Sequence, residues 1–148
     1  MQSKLVPPVY FVILLFLAII LDNKMPVWDF IKPPYHYIGL IFMFMGSVTS
    51  IWSASLFKKY HTTIIPYEKP DFMVISGPFL YSRNPMYLGM TLVLIGVATG
   101  LGSLISFSAP IVFFILMNNI FIPMEERNLE EVFGKSYLDY KQRVRCWV

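Results

Sequence analysis

The stretch Ser76-Gly-Pro-Phe-Leu-Tyr-Ser-Arg-Asn-Pro-Met-Tyr-Leu-Gly89 decides the fold, because in it a polar, bent segment leads directly into a long apolar run. Gly77-Pro78 is typical of a turn, since glycine frees φ and proline fixes the next φ. Asn84-Pro85 is typical of a helix start, with asparagine at the N-cap and proline at the first helical position. Arg83 and Asn84 are thus the last strongly polar groups before a predicted membrane helix, whose positive dipole end can receive an anionic ligand group.

The composition indicates one membrane domain. Of 148 residues, 56% are apolar and only 14% are charged, against about 25% in soluble proteins. One cysteine and two histidines, which lack the spacing of a ligand pair, predict no metal site. The net charge of +3 is modest, and we expect no nucleic-acid partner.

Three stretches of the chain carry no charge. The third, Asn84–Met124, has 41 residues (84 to 124), which is too long for one span and suits two of about 20 residues each. Gly100-Leu-Gly102-Ser103 lies near its middle and supplies a turn. We therefore predict an all-α integral membrane protein with four transmembrane helices, the last two forming a hairpin. The predicted helices are Leu5–Leu21, Tyr37–Phe57, Pro85–Thr99 and Ser103–Pro123.

Small residues recur at four-residue steps in two of these helices, as Gly46, Ser50 and Ala54 in the second and as Gly96 and Gly100 in the third. Such steps place small side chains on one helix face and allow a neighbouring backbone to approach closely. We expect close helix packing on these faces.

The basic residues predict the orientation. With four spans, ten of the twelve lysines and arginines fall on one face and only Lys24 and Lys32 on the other. Because such residues are enriched in cytoplasmic segments, the N-terminus, the middle loop and the tail are expected in the cytoplasm. The ten are Lys4, Lys58, Lys59, Lys69, Arg83, Arg127, Lys135, Lys141, Arg143 and Arg145.

The tail that begins at Glu125 shows the pattern of an amphipathic helix, with apolar residues at three- and four-residue steps. We expect Gly134 to break it in two and Ser136 to cap the second piece. The tail either lies on the membrane surface or folds back over the helix ends. Its apolar positions are Leu129, Val132, Phe133, Tyr137, Tyr140 and Val144.

The hairpin brings two distant motifs together on one membrane face. Packed helices lie about 8–10 Å apart, so the start of the third helix should lie beside the end of the fourth. Ionisable groups at the edge of a membrane are candidate functional residues. The groups brought together are Arg83, Asn84 and Tyr87 on one side and Glu125, Glu126 and Arg127 on the other.

Two patterns then carry a family resemblance: Gly77-Pro78-Phe79-x-x-x-Arg83-Asn84-Pro85-x-Tyr87-x-Gly89, and, after the apolar hairpin, Glu125-Glu126-x-x-Leu129-x-x-x-Phe133-Gly134-x-x-Tyr137-x-x-Tyr140-x-x-Arg143-Val144. This sequence resembles the isoprenylcysteine carboxyl methyltransferases, which are related to the phospholipid N-methyltransferases. The resemblance covers roughly Ile65 to Val144. It makes residues 65–148 a methyltransferase-like core and residues 1–64 supporting helices of the same domain.

The resemblance implies a membrane enzyme that uses S-adenosylmethionine. Its partners would be the lipid bilayer and a small-molecule or lipid-like acceptor, which is hydrophobic or membrane-associated and carries a carboxylate, a thiol or an amine. No catalytic residue is indicated. In the family the corresponding segments line the cofactor pocket, which here implicates Arg83, Asn84, Pro85, Tyr87, Gly89, Glu125 and Glu126. Of the two acids, we expect Glu126 to matter more for the cofactor.

Asn84 departs from the family, which has histidine at this position. Asparagine keeps a donor and an acceptor but takes no charge and no proton at neutral pH. The alternative function is therefore a non-catalytic membrane protein of the same fold that binds a lipid or protein partner. Simpler interpretations also exist, with Asn84 only an N-cap and the two glutamates only a solvated helix end.

Overall fold

A computed structural model describes residues 6–25, 28–65 and 68–148 of the protein, and these ranges contain helices but no strand. This confirms the predicted all-α class. Leu5, which opens the first predicted span, and Lys4, which was counted for the orientation, lie outside the described ranges. The helices are α1 (Pro7–Lys24), α2 (Ile38–Lys59), α3 (Pro85–Leu101), α4 (Ser108–Leu116), α5 (Ile122–Phe133) and α6 (Lys135–Arg143).

The interface between α2 and α3 is built from glycines whose backbones touch. A β-carbon at Gly46 would meet the Val93 nitrogen at 2.8 Å, and one at Gly89 would meet the Ser50 nitrogen at 2.9 Å. The Ser50 hydroxyl also donates a hydrogen bond to the carbonyl of Met86 at 3.2 Å. The close approach predicted from Gly46 and Ser50 is therefore confirmed.

The same stripe continues toward the hairpin tip, where Gly39 of α2 meets Gly96 of α3. A β-carbon at Gly96 would lie 2.8 Å from the Met43 nitrogen, whereas one at Gly100 would meet nothing within 4 Å. Gly96 is thus part of the predicted close contact. The Gly100 backbone also lies against α2, because a β-carbon at Gly39 would meet the Gly100 nitrogen at 3.0 Å, but a side chain on Gly100 would point into open space. Gly39, which was not predicted, lies one heptad before Gly46 and completes the stripe.

The hairpin turn lies where it was predicted. Gly102 ends α3 with φ of 84°, a left-handed conformation that favours glycine, and its N–H donates to the Ala98 carbonyl at 2.9 Å. The N–H groups of Phe30 and Ile31 then donate to the Gly102 carbonyl at 3.1 and 3.2 Å. The connection between α1 and α2 is thereby fixed to the tip of the hairpin.

The predicted helix end at Pro123 is wrong. α4 runs through a π turn at Met117–Phe121 directly into α5, and the continuous helical segment Ile105–Phe133 has 29 residues. Pro123 is tolerated because it is the second residue of α5, after the π turn has already disturbed the regular hydrogen bonding. At 1.5 Å per residue the segment is about 44 Å long, compared with about 30 Å of bilayer hydrocarbon. One end of it therefore extends beyond the hydrocarbon.

Within the described residues, three helical segments are long and apolar enough to cross a membrane: Pro7–Lys24, Tyr35–Lys59 and Ile105–Phe133. α3 is apolar but has only 17 residues, so its crossing stays a prediction. Phe44 and Ile51 on the outer face of α2 are 71% and 69% exposed, which suits a surface in contact with lipid chains.

The tail folds back over the helix ends. Tyr137, Tyr140 and Val144 are buried together, with Met73 of the middle loop and Leu129 of α5 packed against them. Gly134 separates α5 from α6. The prediction that Ser136 caps the second piece is wrong, because α6 begins at Lys135 with Gly134 at the N-cap.

We predict opposite effects for alanine at two glycines of α3 that are one turn apart. Gly96→Ala should lower the free energy of unfolding by about 1–3 kcal/mol, because the added methyl overpacks the contact with α2. Gly100→Ala should raise it by up to about 1 kcal/mol, because alanine is the better helix former and has open space there. Unfolding of the detergent-solubilised variants measures both values, and shifts of equal sign and size would contradict the packing.

Candidate functional site

A cavity of about 230 Å³ opens beside the first turns of α3 and α5. The first residues of α1, the middle loop and α6 complete its walls. Six of the seven residues implicated by the sequence line it: Arg83, Asn84, Pro85, Tyr87, Glu125 and Glu126. Gly89 does not, because it packs against Gly46 and Ser50 of α2. The structure therefore brings the two motifs together at one cavity and gives Gly89 a packing role.

Arg83 connects the start of α3 to the tail. Its Nη2 and Nε donate to one carboxylate oxygen of Glu126 at 2.6 and 3.1 Å. Its Nη1 donates to the carbonyls of Val144 and Lys141 at 2.7 and 3.2 Å. Burial alone would lower the pKa of Arg83, but the hydrogen bond and charge of Glu126 outweigh it and leave that pKa raised. The guanidinium is therefore a fixed charge with its donors engaged by protein.

Glu126 is shared between two cations. Its second carboxylate oxygen lies 2.7 Å from Lys141 Nζ, which also lies 2.8 Å from a carboxylate oxygen of Glu130. These two glutamates raise the pKa of Lys141. The carboxylate of Glu126, in the first half of α5, thus binds both the start of α3 and α6, which leaves it little capacity for another ligand.

Glu125 has a different environment from its neighbour. It accepts a short hydrogen bond from the Tyr87 hydroxyl across the mouth of the hairpin. Both side chains line the cavity. The contacts therefore favour Glu125, rather than Glu126, as the acid that meets a bound molecule.

Asn84 stands at the N-cap of α3, as predicted, but its side chain makes no capping hydrogen bond. Its Nδ2 instead donates to the carbonyl of Cys146 at 3.1 Å and to the thiol sulfur at 3.5 Å. Its backbone N–H donates to the Ser82 hydroxyl at 3.1 Å. Besides occupying the N-cap position, Asn84 therefore holds the segment around Cys146 beside the cavity.

Arg127 was expected at the site but lies outside it. Its side chain is 82% exposed and lies 3.8 Å from Glu131 on the outer face of α5. Glu125 and Glu126 face the inside of the bundle. Because successive side chains turn around the helix axis, Arg127 points away from the cavity.

Tyr137 and Tyr140 line the cavity as well, although sequence analysis identified them only as part of an apolar face. The Tyr140 hydroxyl donates to the Phe79 carbonyl at 2.7 Å, and burial raises the pKa of Tyr140 to about 12. Burial also raises the pKa of Tyr137. Both hydroxyls therefore stay protonated at neutral pH. Lys141 was missed too, although it follows Tyr137 by one helical turn and so shares its face.

The rest of the cavity wall is largely apolar. Methionine, phenylalanine and branched side chains come from α2, α3, the middle loop and the start of α1. The polar end at Glu125 and Tyr87 thus adjoins an apolar region. The main apolar lining residues are Phe57, Ile64, Ile65, Phe72, Met73, Val74, Phe79, Met86 and Met90.

Comparison with known proteins identifies the family. The sequence pattern of the phospholipid methyltransferase family matches residues 34–136, which is most of the chain. This match confirms the resemblance at the level of the wider family and extends it to α2, before the segment recognised in the sequence. The nearer likeness to the isoprenylcysteine enzymes stays a prediction. An uncharacterised protein of Haemophilus influenzae is 38% identical over 63 residues, which are 43% of this chain and all of that protein. No solved structure matches the chain.

We predict unequal effects on stability for two glutamates of α5. Glu126→Gln should lower the free energy of unfolding by about 1.5–3 kcal/mol, because Arg83 and Lys141 lose the charge they share. Glu131→Gln, which breaks only the exposed pair with Arg127, should change it by less than about 1 kcal/mol. Chemical denaturation in detergent measures both, and equal effects would contradict a structural role for Glu126.

Proposed function

We infer the function from one premise: the chain belongs to the phospholipid methyltransferase family. We propose that it is an integral membrane enzyme that uses S-adenosylmethionine to methylate a hydrophobic or membrane-associated acceptor. The observation that supports this is the cavity at the hairpin mouth, where the pair Tyr87–Glu125 adjoins an apolar wall. In the proposal α3 also crosses the bilayer, which makes four spans.

The charges of the cavity suit the cofactor. Among the described lining residues three are acids, Glu68, Glu125 and Glu126, and one is a base, Arg83. Since Arg83 is paired with Glu126, Glu68 and Glu125 are the lining acids that a bound cation would meet. S-adenosylmethionine supplies, when bound, a methyl group on a positively charged sulfur, and carboxylates near that sulfur favour such a cation.

The protein's own residues have three roles in this proposal. Glu125 binds the amino group or a ribose hydroxyl of the cofactor, or accepts a proton from the acceptor, and Tyr87 orients its carboxylate. Arg83 and Glu126 hold the tail in place. Tyr137 and Tyr140 form the cover that excludes water from the reacting groups.

The same charges favour an amine over a carboxylate as the acceptor. A carboxylate would lie near Glu125, and the cation of the lining, Arg83, is already paired with Glu126 and the tail. An ammonium group would instead pair with Glu125, which could take the proton that frees the nitrogen lone pair. The apolar walls suit an acceptor that carries a hydrocarbon part.

The alternative is a non-catalytic protein that binds a lipid or protein partner. One contact favours it: the Asn84 amide, at the position of the family's histidine, donates to Cys146 of the tail. If that histidine takes part in the chemistry of the family, this chain lacks it.

We predict that the protein binds S-adenosylmethionine from the cytoplasmic side. The distribution of basic residues predicts that the cavity faces the cytoplasm, and a charged, water-soluble cofactor does not cross a membrane unaided. Inverted vesicles that carry the protein should therefore bind the radiolabelled cofactor, and sealed right-side-out vesicles should not. Glu125→Gln should weaken binding about 10- to 100-fold, as for a lost charged hydrogen bond, whereas Glu131→Gln should not change it. No binding to detergent-solubilised protein would reject the methyltransferase, and binding on the opposite face would reject the orientation.

We predict that acceptors bind more tightly as their hydrocarbon tail grows. In a series of alkyl amines, thiols and carboxylates, each buried CH₂ should add up to about 0.8 kcal/mol until the apolar region is filled. Amines should be methylated in preference to carboxylates of equal length. Transfer of the labelled methyl group measures both trends. Equal turnover of short and long acceptors would contradict the apolar route, and a preference for carboxylates would contradict the electrostatic argument.

A further inference from the structure

α6 covers the cavity without being continuous with the helices that surround it. It contributes Tyr137 and Tyr140 to the lining. At its N-terminal end Gly134 separates it from α5 with φ of 51° and ψ of −122°, and a β-carbon there would meet nothing within 4 Å. This backbone conformation suits glycine, and the open space around it leaves room for rotation. Gly134 thus has the properties of a hinge.

The other end of α6 is held by Arg83. The carbonyls of Lys141 and Val144 both accept from Arg83 Nη1. They belong to the end of a helix, where the last carbonyls lack partners within the helix and the dipole favours a positive charge. The backbone N–H of Arg83 also donates to the Arg145 carbonyl at 3.0 Å. Arg83 is therefore the C-terminal cap of α6, supplied by the start of α3.

Three further contacts fix the residues that follow α6. Asn84 Nδ2 and the Ser82 hydroxyl donate to the carbonyl of Cys146 at 3.1 and 3.4 Å. Trp147 Nε1 donates to Asn118 Oδ1 at 3.1 Å. The residues after α6 are thus held by these polar groups and by the stacking of Trp147 on Phe114, with ring centroids 4.7 Å apart.

The apolar contacts of this segment fall into two groups. Tyr137, Tyr140 and Val144 are buried in a cluster separate from the main core, and only the partly buried Cys146 and Trp147 pack against the main core itself. Segments with few buried apolar contacts open at lower free energy than the core. The cavity of about 230 Å³ is also smaller than the roughly 300–1,000 Å³ typical of ligand sites. A ligand larger than this cavity needs more room, and movement of α6 away from the bundle would supply it.

We propose that α6 and Val144–Trp147 form a lid over the cavity, hinged at Gly134 and latched by Arg83 and Asn84. The lid opens to admit the cofactor and closes over it. This inference rests on the proposed function for the identity of the ligand, but the latch itself can be tested without any ligand. It assigns Arg83 a positioning role rather than direct contact with the cofactor.

Cys146 offers a natural reporter of the latch, because it is the single cysteine of the chain. Its thiol lies beside Asn84, and burial raises its pKa, so a closed lid should make it react slowly. The rate of maleimide labelling of Cys146 in the full-length detergent-solubilised protein then measures how often the lid is open.

Arg83→Lys and Arg83→Gln should raise the labelling rate tenfold or more. Tyr140→Phe, which removes only the hydrogen bond to Phe79 and lies away from Cys146, should raise it about threefold or more. Arg127→Gln removes the same charge as Arg83→Gln from the exposed face of α5 and should leave the rate unchanged. If Arg83→Lys and Tyr140→Phe label at the wild-type rate, the latch does not exist.

The melting temperature of each variant distinguishes lid opening from general unfolding, because lid opening leaves the main transition within a few degrees of the wild type.

A second measurement links the lid to the cavity. S-adenosylhomocysteine, the demethylated product, should slow labelling of wild-type Cys146 at least fivefold at saturation and should slow Arg83→Gln less. If it binds by equilibrium dialysis without slowing the labelling, the segment is not a lid over the ligand and the inference is overturned. If it does not bind, the proposed function fails, while the effect of the Arg83 variants still decides the latch.

Discussion

The charge of Arg83 is the constraint on which the rest of the site depends. A partly buried guanidinium must be paired and hydrogen-bonded, since an unpaired charge away from water costs several kcal/mol. The structure meets this demand with Glu126 from α5 and with carbonyls from the end of α6. Three segments far apart in sequence are thereby brought to one point. The cavity is the space that this convergence leaves beside Tyr87 and Glu125.

The position of Arg83 depends in turn on the contact between α2 and α3. Arg83 immediately precedes α3, so its height in the bundle is set by where α3 packs. Gly46 against Gly89 and Gly39 against Gly96 allow the two backbones to touch, and a larger residue at any of them would force the helices apart. Only small residues fix a register this closely in a membrane, where no hydrophobic effect drives helices together. The stripe on α2 thus acts on the site without contributing a residue to it, and the family pattern includes α2.

Much of this could be predicted from the sequence, because each successful prediction rested on a strong local signal. The hairpin followed from the length of the apolar stretch and from Gly102, and the meeting of Arg83 with Glu126 followed from the hairpin. The failures concern features that side-chain identity does not encode. Pro123 was expected to end a helix, but a π turn upstream accommodates it. The attachment of Arg83 to the tail was not predicted, because its partners there are backbone carbonyls, which carry no sequence signature. The different contacts of Glu125 and Glu126 depend on where Lys141 lies, and that position is set by how the tail folds.

The contacts of Asn84 explain how asparagine can stand where the family has histidine. Position 84 has to supply a donor to the Cys146 carbonyl, and both an amide and a neutral imidazole can do so. A protonated histidine would add a positive charge close to Arg83 and Lys141, where Glu126 already serves two cations. Asparagine meets the requirement for a donor without that repulsion, and its Nδ2 also contacts the Cys146 thiol. The substitution is therefore consistent with an intact site in which residue 84 holds the lid while Glu125 and Tyr87 face the ligand.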